Sequence, residues 1–315
     1  MENDIDHLEG KIDKNGNIEV RGVKKTEPFE WIIVFIWIFS VCKFIWKCKP
    51  IRYILIIAIA IALIVTIFDT IQQDEFHSSA QFTLLADNTY EVSSIGDYNG
   101  TDIVIQEKHD GLAVTSIGDN AFKDCKYITS ITLPDSVTRI GNEAFSNCQS
   151  LTEIKLPASI KSIGNSAFYN CNKLTNITIP NNVTSIGVSA FSDCNSLTSI
   201  NLPNTLMQIS EKMFFSCDKL QSINISGNVK IIDSLAFADC SSLTSVSLPA
   251  SIESIGENAF SRSALITINY GGTMAQWNAI TKVEDCWNSI DGILDWDYYT
   301  EKYTIYCTDG TISKQ

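Results

Sequence analysis

The stretch Ile140-Gly-Asn-Glu-Ala144-Phe145-Ser-Asn-Cys148-Gln-Ser-Leu151-Thr-Glu-Ile154-Lys-Leu156-Pro157-Ala-Ser-Ile160-Lys-Ser decides the fold, because variants of it follow one another seven times. The isoleucine that opens each copy stands at Ile117, Ile140, Ile163, Ile186, Ile209, Ile232 and Ile255, always 23 residues apart. A fixed period of this length without long helical stretches indicates a solenoid, in which each unit buries its apolar face only against its neighbours.

Inside the copy, Ile154 and Leu156 alternate with polar residues, which is strand periodicity. The same strand recurs around Ile131, Ile177, Ile200, Ile223 and Val246. Stacked in parallel at about 4.8 Å, seven such strands make a sheet roughly 30 Å long. Pro134, Pro157, Pro180, Pro203 and Pro249 each end a strand, where the missing N–H does no harm. Val137 and its equivalents turn the chain back into the core, with room for a second short strand at the next isoleucine. The glycine that follows (Gly118, Gly141, Gly164, Gly187, Gly256) suits a tight corner or a positive φ, although Ser210 and Asp233 stand there in two coils. Ala-Phe is then expected on a short helical turn, giving one large buried ring per coil from Phe122 to Phe260.

Cys125, Cys148, Cys171, Cys194, Cys217 and Cys240 share one position. Stacked coils hold their Cβ atoms about 4.8 Å apart with parallel vectors, whereas a disulfide needs about 3.8 Å and convergence. Zinc would need C-x-x-C clustering, which the sequence lacks. The expectation is a column of buried thiols. The preceding Asp124, Asn147, Asn170, Asp193 and Asp239 are read as bonding their own turn backbone, with a calcium ladder as the sharper alternative.

The flanks differ in kind. Residues 1–30 are a polar tail expected to be loosely ordered, because a hairpin on the Asn15-Gly16 turn would stand alone and an isolated two-stranded hairpin is marginal in water. Trp31–Trp46 is apolar except for Ser40 and Lys43, and Tyr53–Phe68 except for Thr66. A span of about 30 Å takes roughly 20 helical residues, which the second segment meets if it extends to Ile71 and the first falls short of. Lys43, Lys47, Lys49 and Arg52 lie around the break at Pro50, and acidic residues follow the second segment. The positive-inside rule then puts the basic loop in the cytoplasm and the repeats outside. A two-helix hairpin and a single span at 53–71 both satisfy this. A stalk at 72–80 leads to short strands over 81–116, read as a cap covering the first coil, with Ile103 and Ile105 standing where later coils place Ile154 and Leu156. The repeat array covers 117–270, and the shortened spacing from Phe260 to Leu265 is read as its end. Residues 271–315 form a second cap, with Thr273 as N-cap of a helix from Met274 and a strand at Tyr303–Cys307 closed by a turn at Asp309-Gly310. Cys286 and Cys307 are its candidate disulfide pair.

Ser116-Ile117-Gly-x-x-Ala121-Phe122-x-x-Cys125, followed by Leu-Thr-x-Ile-x-Leu-Pro in the later coils, resembles the BspA-like (Treponema-type) leucine-rich repeats of bacterial surface proteins. The resemblance covers about residues 81–307. It implies a repeat solenoid, a β-rich α/β leucine-rich repeat of seven coils with a parallel sheet, here preceded by one or two transmembrane helices. It further implies recognition or adhesion at the cell surface.

Two surfaces are candidates for that role. The first is the outward row of the strands: Ser130, Thr132, Glu153, Lys155, Asn176, Thr178, Ser199, Asn201, Ser222, Asn224, Ser245 and Ser247. The second is an aromatic site in the carboxy-terminal cap built on Trp287, Trp296 and Tyr298. A net charge of -13 argues against nucleic acid, since nothing would neutralise a run of phosphates. His7, His77 and His109 are scattered, and no nucleophile–base set, metal set, phosphate loop or cofactor motif is found, so no enzyme is expected. The reading is a membrane-anchored, outward-facing recognition or adhesion module of a bacterial cell surface, binding a protein or glycan and held in the bilayer through residues 31–71. The alternative is a structural spacer or accessory subunit whose membrane helices assemble with other membrane proteins.

Overall fold

The computed structural model describes residues 10–12, 18–20, 57–65, 79–96, 98–225, 227–282 and 303–314. The chain divides into two compact units, Met1–Phe68 and Asp69–Gln315. In the first, Gly10–Ile12 pairs antiparallel with Ile18–Val20, a hairpin where a loosely ordered tail was expected. Residues 57–65 are helical. Among the described residues no helix is long and apolar enough to cross a membrane. The remainder of the two apolar segments, 31–56 and 66–71, lies outside the described residues, so the membrane helices stand as an expectation.

The second unit is the solenoid, built from two parallel ladders and a side made of turns. The first ladder runs through Asp102–Val104, Ser130–Thr132, Glu153–Lys155, Asn176–Thr178, Ser199–Asn201, Ser222–Asn224, Ser245–Leu248, Thr267–Tyr270 and Tyr303–Cys307. Gly310–Lys314 then folds back antiparallel and closes it. Register follows the 23-residue period, so Ile103, Ile131 and Ile154 are partners, as are Ile177 and Ile200, and Ile223, Val246, Ile268 and Ile305. The single expected sheet is in fact bonded in three stretches, interrupted between Lys155 and Asn176 and between Asn201 and Ser222.

The second ladder pairs the opening isoleucines. It joins Leu112–Ile117, Arg139–Ile140, Ser162–Ile163 and Ser185–Ile186, breaks, and resumes through Gln208–Ile209, Ile231–Ile232, Ser254–Ile255 and Thr281–Lys282. At its amino-terminal end Tyr90–Ser94 adds in parallel and Gln81–Leu84 antiparallel. Both ladders run past Tyr270, so the shortened spacing after Phe260 does not stop the stacking. The period is lost while the inward positions Ile268 and Ile305 stay in register.

The turn side corrects two expectations. Ala-Phe sits on no helix: Cys125 N–H bonds back to Phe122 O at 3.3 Å, while Phe122 N–H reaches forward to Ala144 O in the next coil at 2.7 Å. That alternation repeats along the array, so this side is sewn together by its own backbone. Positive φ falls not at the glycines that follow the opening isoleucines but twice in each turn, as at Asn120 and Asp124, Asn147, Asn170, Asp193 and Asp239, with φ of 57–62° at those positions. Asx side chains tolerate the left-handed region best, which accounts for the Asx before most of the cysteines. The glycines answer to crowding instead. A Cβ on Gly164 would meet Gly141 C of the preceding coil at 2.5 Å, and one on Gly187 would meet Asn165 N at 2.5 Å.

Between the three sides, Phe122, Phe145, Phe168, Phe191, Phe214, Phe237 and Phe260 stack with centroids 5.0–5.7 Å apart and planes within 22° of parallel. Five thiols are buried beside them, and each donates to a phenylalanine carbonyl of the preceding coil: Cys148 to Phe122 O at 3.1 Å, Cys194 to Phe168 O at 3.2 Å. That carbonyl already accepts the amide of its own coil's cysteine, so both its lone pairs are used. Burial pushes the Cys194 and Cys240 thiols up to about 12. Cys125, at the open end of the column, is half-buried and its thiol turns to its own loop, donating to Lys123 O at 3.7 Å.

At the far end, Thr273 N-caps Met274–Ala279 in a full capping box with Gln276. Trp277 is buried against Tyr270, and Lys282 Nζ satisfies the helix's last carbonyls, Trp277 O at 2.7 Å and Ile280 O at 3.2 Å. Asp309 Oδ1 accepts from Met274 N–H at 2.7 Å, tying the closing turn to the helix.

Candidate ligand-binding surface

The first ladder places its inward residues in the core and leaves the alternate side chains on an open face. Of the twelve outward residues named from the sequence, Thr132, Glu153, Lys155, Asn176, Thr178, Ser199, Asn201, Ser222 and Asn224 are exposed, and Ser130, Ser245 and Ser247 half-buried. They fall in two files. One runs Asp102, Ser130, Glu153, Asn176, Ser199, Ser222, Ser245, Thr267, Thr304, and the other Val104, Thr132, Lys155, Thr178, Asn201, Asn224, Ser247, Asn269, Tyr306. A third file, one residue upstream, is tied down: Thr152 Oγ1 donates to Thr129 O at 3.0 Å and Thr198 Oγ1 to Thr175 O at 3.1 Å.

Charge on this face is confined to the amino-terminal end. Asp102 accepts from Ser130 Oγ at 2.5 Å, Thr101 Oγ1 at 2.8 Å and Thr129 Oγ1 at 3.2 Å. The Ser130 hydroxyl first, and the others with it, hold the carboxyl below the usual carboxylate range. Beyond Lys155 both files are neutral hydroxyls and amides as far as Thr304 and Tyr306. Such a surface offers hydrogen bonds and little apolar area, and it can hold a polar ligand through several weak contacts.

Tyr306 was missed from sequence. It is 49% exposed and ends the second file, the one aromatic among the outward residues of the two files. The signal was present: Ile305 is an inward isoleucine of the usual kind, and aligning it with Ile268 turns Tyr306 outward. Loss of the period after Phe260 concealed that alignment. Binding surfaces draw disproportionately on tyrosine, so the position matters.

The other candidate site cannot be placed. Trp287, Trp296 and Tyr298, with Cys286, lie outside the described residues. Cys307, the other member of the candidate disulfide pair, is a half-buried free thiol. Three of the five Asx residues of the turns bond one another, Asn147 Nδ2 reaching Asp124 Oδ1 at 2.8 Å and Asn170 Nδ2 reaching Asn147 Oδ1 at 2.8 Å, while Asp193 accepts from Ser192 Oγ at 3.2 Å and Asp239 pairs with Arg262 at 2.8 Å. Amide-to-oxygen bonding of this kind links coils without a cation, and among the described residues no group of His, Cys, Asp or Glu is arranged to hold a metal.

Comparison with known proteins agrees with this architecture. A model of the BspA type leucine-rich repeat region matches in six copies, over residues 96–189, 115–241 and 161–281. Among solved structures, a T. pallidum leucine-rich repeat protein is 30% identical with a TM-score of 0.53, over 57% of this chain and 83% of the other. A leucine-rich repeat protein from Bacteroides ovatus is 30% identical with a TM-score of 0.50, over 62% of this chain and 60% of the other. No curated protein matches.

Proposed function

The chain belongs to the BspA-type leucine-rich repeat family, and we propose that it is a membrane-anchored, outward-facing recognition or adhesion module of a bacterial cell surface. The observation that carries the reading is the open strand face. Two files of side chains, polar on every rung from Ser130 and Thr132 onward, cross the first ladder, and nine of the twelve residues singled out on it are exposed. A repeat array displays such a face along its length, so weak contacts to a repeating protein or glycan ligand add up. Family membership supports a binding scaffold rather than an enzyme.

Anchoring rests on the amino-terminal unit. Ile57, Ile59, Ile61, Leu63, Ile64 and Val65 are each 43–56% exposed around the helical residues 57–65, an apolar surface on all sides that suits lipid. The basic residues around Pro50 and the acidic ones after the second apolar segment support the outward orientation.

Protease treatment of intact cells tests location: release of repeat fragments is expected, and protection until lysis overturns the outward reading. Full-length protein in detergent, probed on glycan and matrix-protein arrays, tests recognition. A silent array, with cross-linking in native membranes only through residues 31–71, replaces recognition with the accessory or spacer role.

A further inference from the structure

The coils of the array are not joined equally, and one junction differs from the rest on both ladders. Between the fourth and fifth coils the first ladder is interrupted, Asn201 to Ser222, and the second as well, Ile186 to Ile209. Among the described residues the only other interruption, between Lys155 and Asn176, leaves the second ladder whole, since Ile140, Ile163 and Ile186 remain paired. Spacing tells the same story. Phe191 and Phe214 are 5.7 Å apart, the widest step in the ring column.

The fifth coil carries the causes. Ser210 occupies the glycine position, and a Cβ built on the regular Gly187 would meet the coil before it at 2.4–2.6 Å. Ser210 Oγ takes the acceptor that the backbone uses elsewhere, donating to Ile186 O at 2.6 Å, whereas Gly164 N–H bonds Ile140 O and Gly187 N–H bonds Ile163 O, both at 2.9 Å. Asp233 also brings a Cβ to this position, yet its N–H keeps the rung to Ile209 O at 2.9 Å, so the Cβ alone does not open a junction. The fifth coil adds Met213, fully buried, where the other six coils have alanine. Both substitutions stand on one turn, and together they wedge the coil away from its neighbour. Only the turn side stays fully sewn, through Ser189 N–H to Glu211 O, Phe191 N–H to Met213 O and Asp193 N–H to Phe215 O at 2.8–2.9 Å.

We infer that the solenoid is two cooperative blocks joined at this seam, with the turn side as the hinge and the boundary at residues 202–207. In a repeat array stability is a sum of coil terms and nearest-neighbour interface terms, so the weakest interface is where partial opening occurs. The open strand face crosses the seam, and opening there changes the spacing between its two halves without unfolding either.

Residue-resolved hydrogen exchange on the full-length chain in sub-denaturing urea tests this. The Met207 and Ser210 amides are expected to exchange at least about tenfold faster than their equivalents Lys161 and Gly164, or Lys230 and Asp233. Residues 117–201 and 209–282 are expected to form two exchange classes with different urea dependence. One class spanning the seam, or a boundary at Lys155–Asn176 instead, overturns the inference. The double variant Ser210→Gly/Met213→Ala is expected to merge the classes and bring residues 207 and 210 to the protection of their equivalents. Met213→Ala alone is expected to move them partway. If folded variants, verified by circular dichroism, leave the two classes unchanged, the wedge is not the cause and the inference fails; if neither variant folds, the wild-type pattern decides.

Discussion

On a single strand, positions one residue apart obey different rules. Ile154 has Ile131, Ile177, Ile200, Ile223, Val246 and Ile268 as its equivalents, all buried, and the whole set varies by one methylene. Its neighbours Glu153 and Lys155 have Ser, Asn and Thr as equivalents, varying in charge, length and polarity. Each inward side chain touches the coil on either side, so a change of volume is felt twice. An outward side chain meets water, and nothing in the stacking constrains it. Uniform positions therefore report packing, and the positions free to vary are those available for recognition.

The largest effect that would sharpen this contrast is at the centre of the ring column. Phe168 is fully buried between Phe145 and Phe191, with centroids at 5.2 and 5.3 Å. Phe168→Ala is expected to destabilise the fold by about 3–5 kcal/mol in chemical denaturation. A loss below about 1 kcal/mol would mean that the column collapses around the gap, and the contrast between core and face would not hold.

Buried thiols give the next effect, through pH. Cys194 and Cys240 have folded values raised from 9.0 to about 12, so the folded state holds protons that the unfolded chain releases. The stability this represents is complete below pH 9 and is lost as pH rises from there toward 12, by about 1.4 kcal/mol per pH unit for each thiol as an upper bound. Alkaline unfolding should therefore be steep, and Cys194→Ala should flatten it relative to the wild type. Equal slopes would show that the column titrates no differently folded than unfolded.

Much of this was legible because repetition exposes constraint. The 23-residue period gave the coil, the alternation gave the strand and its outward residues, and the prolines gave the strand ends, where Pro157 O accepts from Ile160 N–H at 3.2 Å. What escaped were properties of the interface between coils, which no single copy states. That a cysteine is required by a phenylalanine carbonyl in the coil before it, or that glycine is required by a backbone 2.5 Å away, depends on stacking distance. Ser210 and Met213 were visible as departures from the phrase, but their joint consequence for two ladders needed coordinates. Tyr306 escaped for a different reason, since the strand that carries it lies beyond the point where the period fails.

A smaller effect tests the end of the array. Thr273→Ala removes the side-chain oxygen that accepts from Gln276 N–H at 3.2 Å and should cost about 1 kcal/mol. Thr273→Ser, which keeps that oxygen, should restore most of it. A cost from Thr273→Ala as large as that at Phe168 would mean that the end helix holds up the stacked coils rather than merely covering them.

The smallest expected change in stability is also the one that bears most on function. Glu153→Ala, Lys155→Ala and Tyr306→Ala all alter exposed side chains of the open face, so each should stay within about 0.5 kcal/mol of the wild type. Their effects on ligand capture should differ from one another. If binding runs along the neutral stretch of the face, Tyr306→Ala weakens it while Glu153→Ala and Lys155→Ala leave it nearly unchanged. If binding is electrostatic and sits at the amino-terminal end, the order reverses and salt abolishes the interaction. Loss of binding with unchanged denaturation midpoint separates recognition from packing on the same strand, which a change in midpoint could not do.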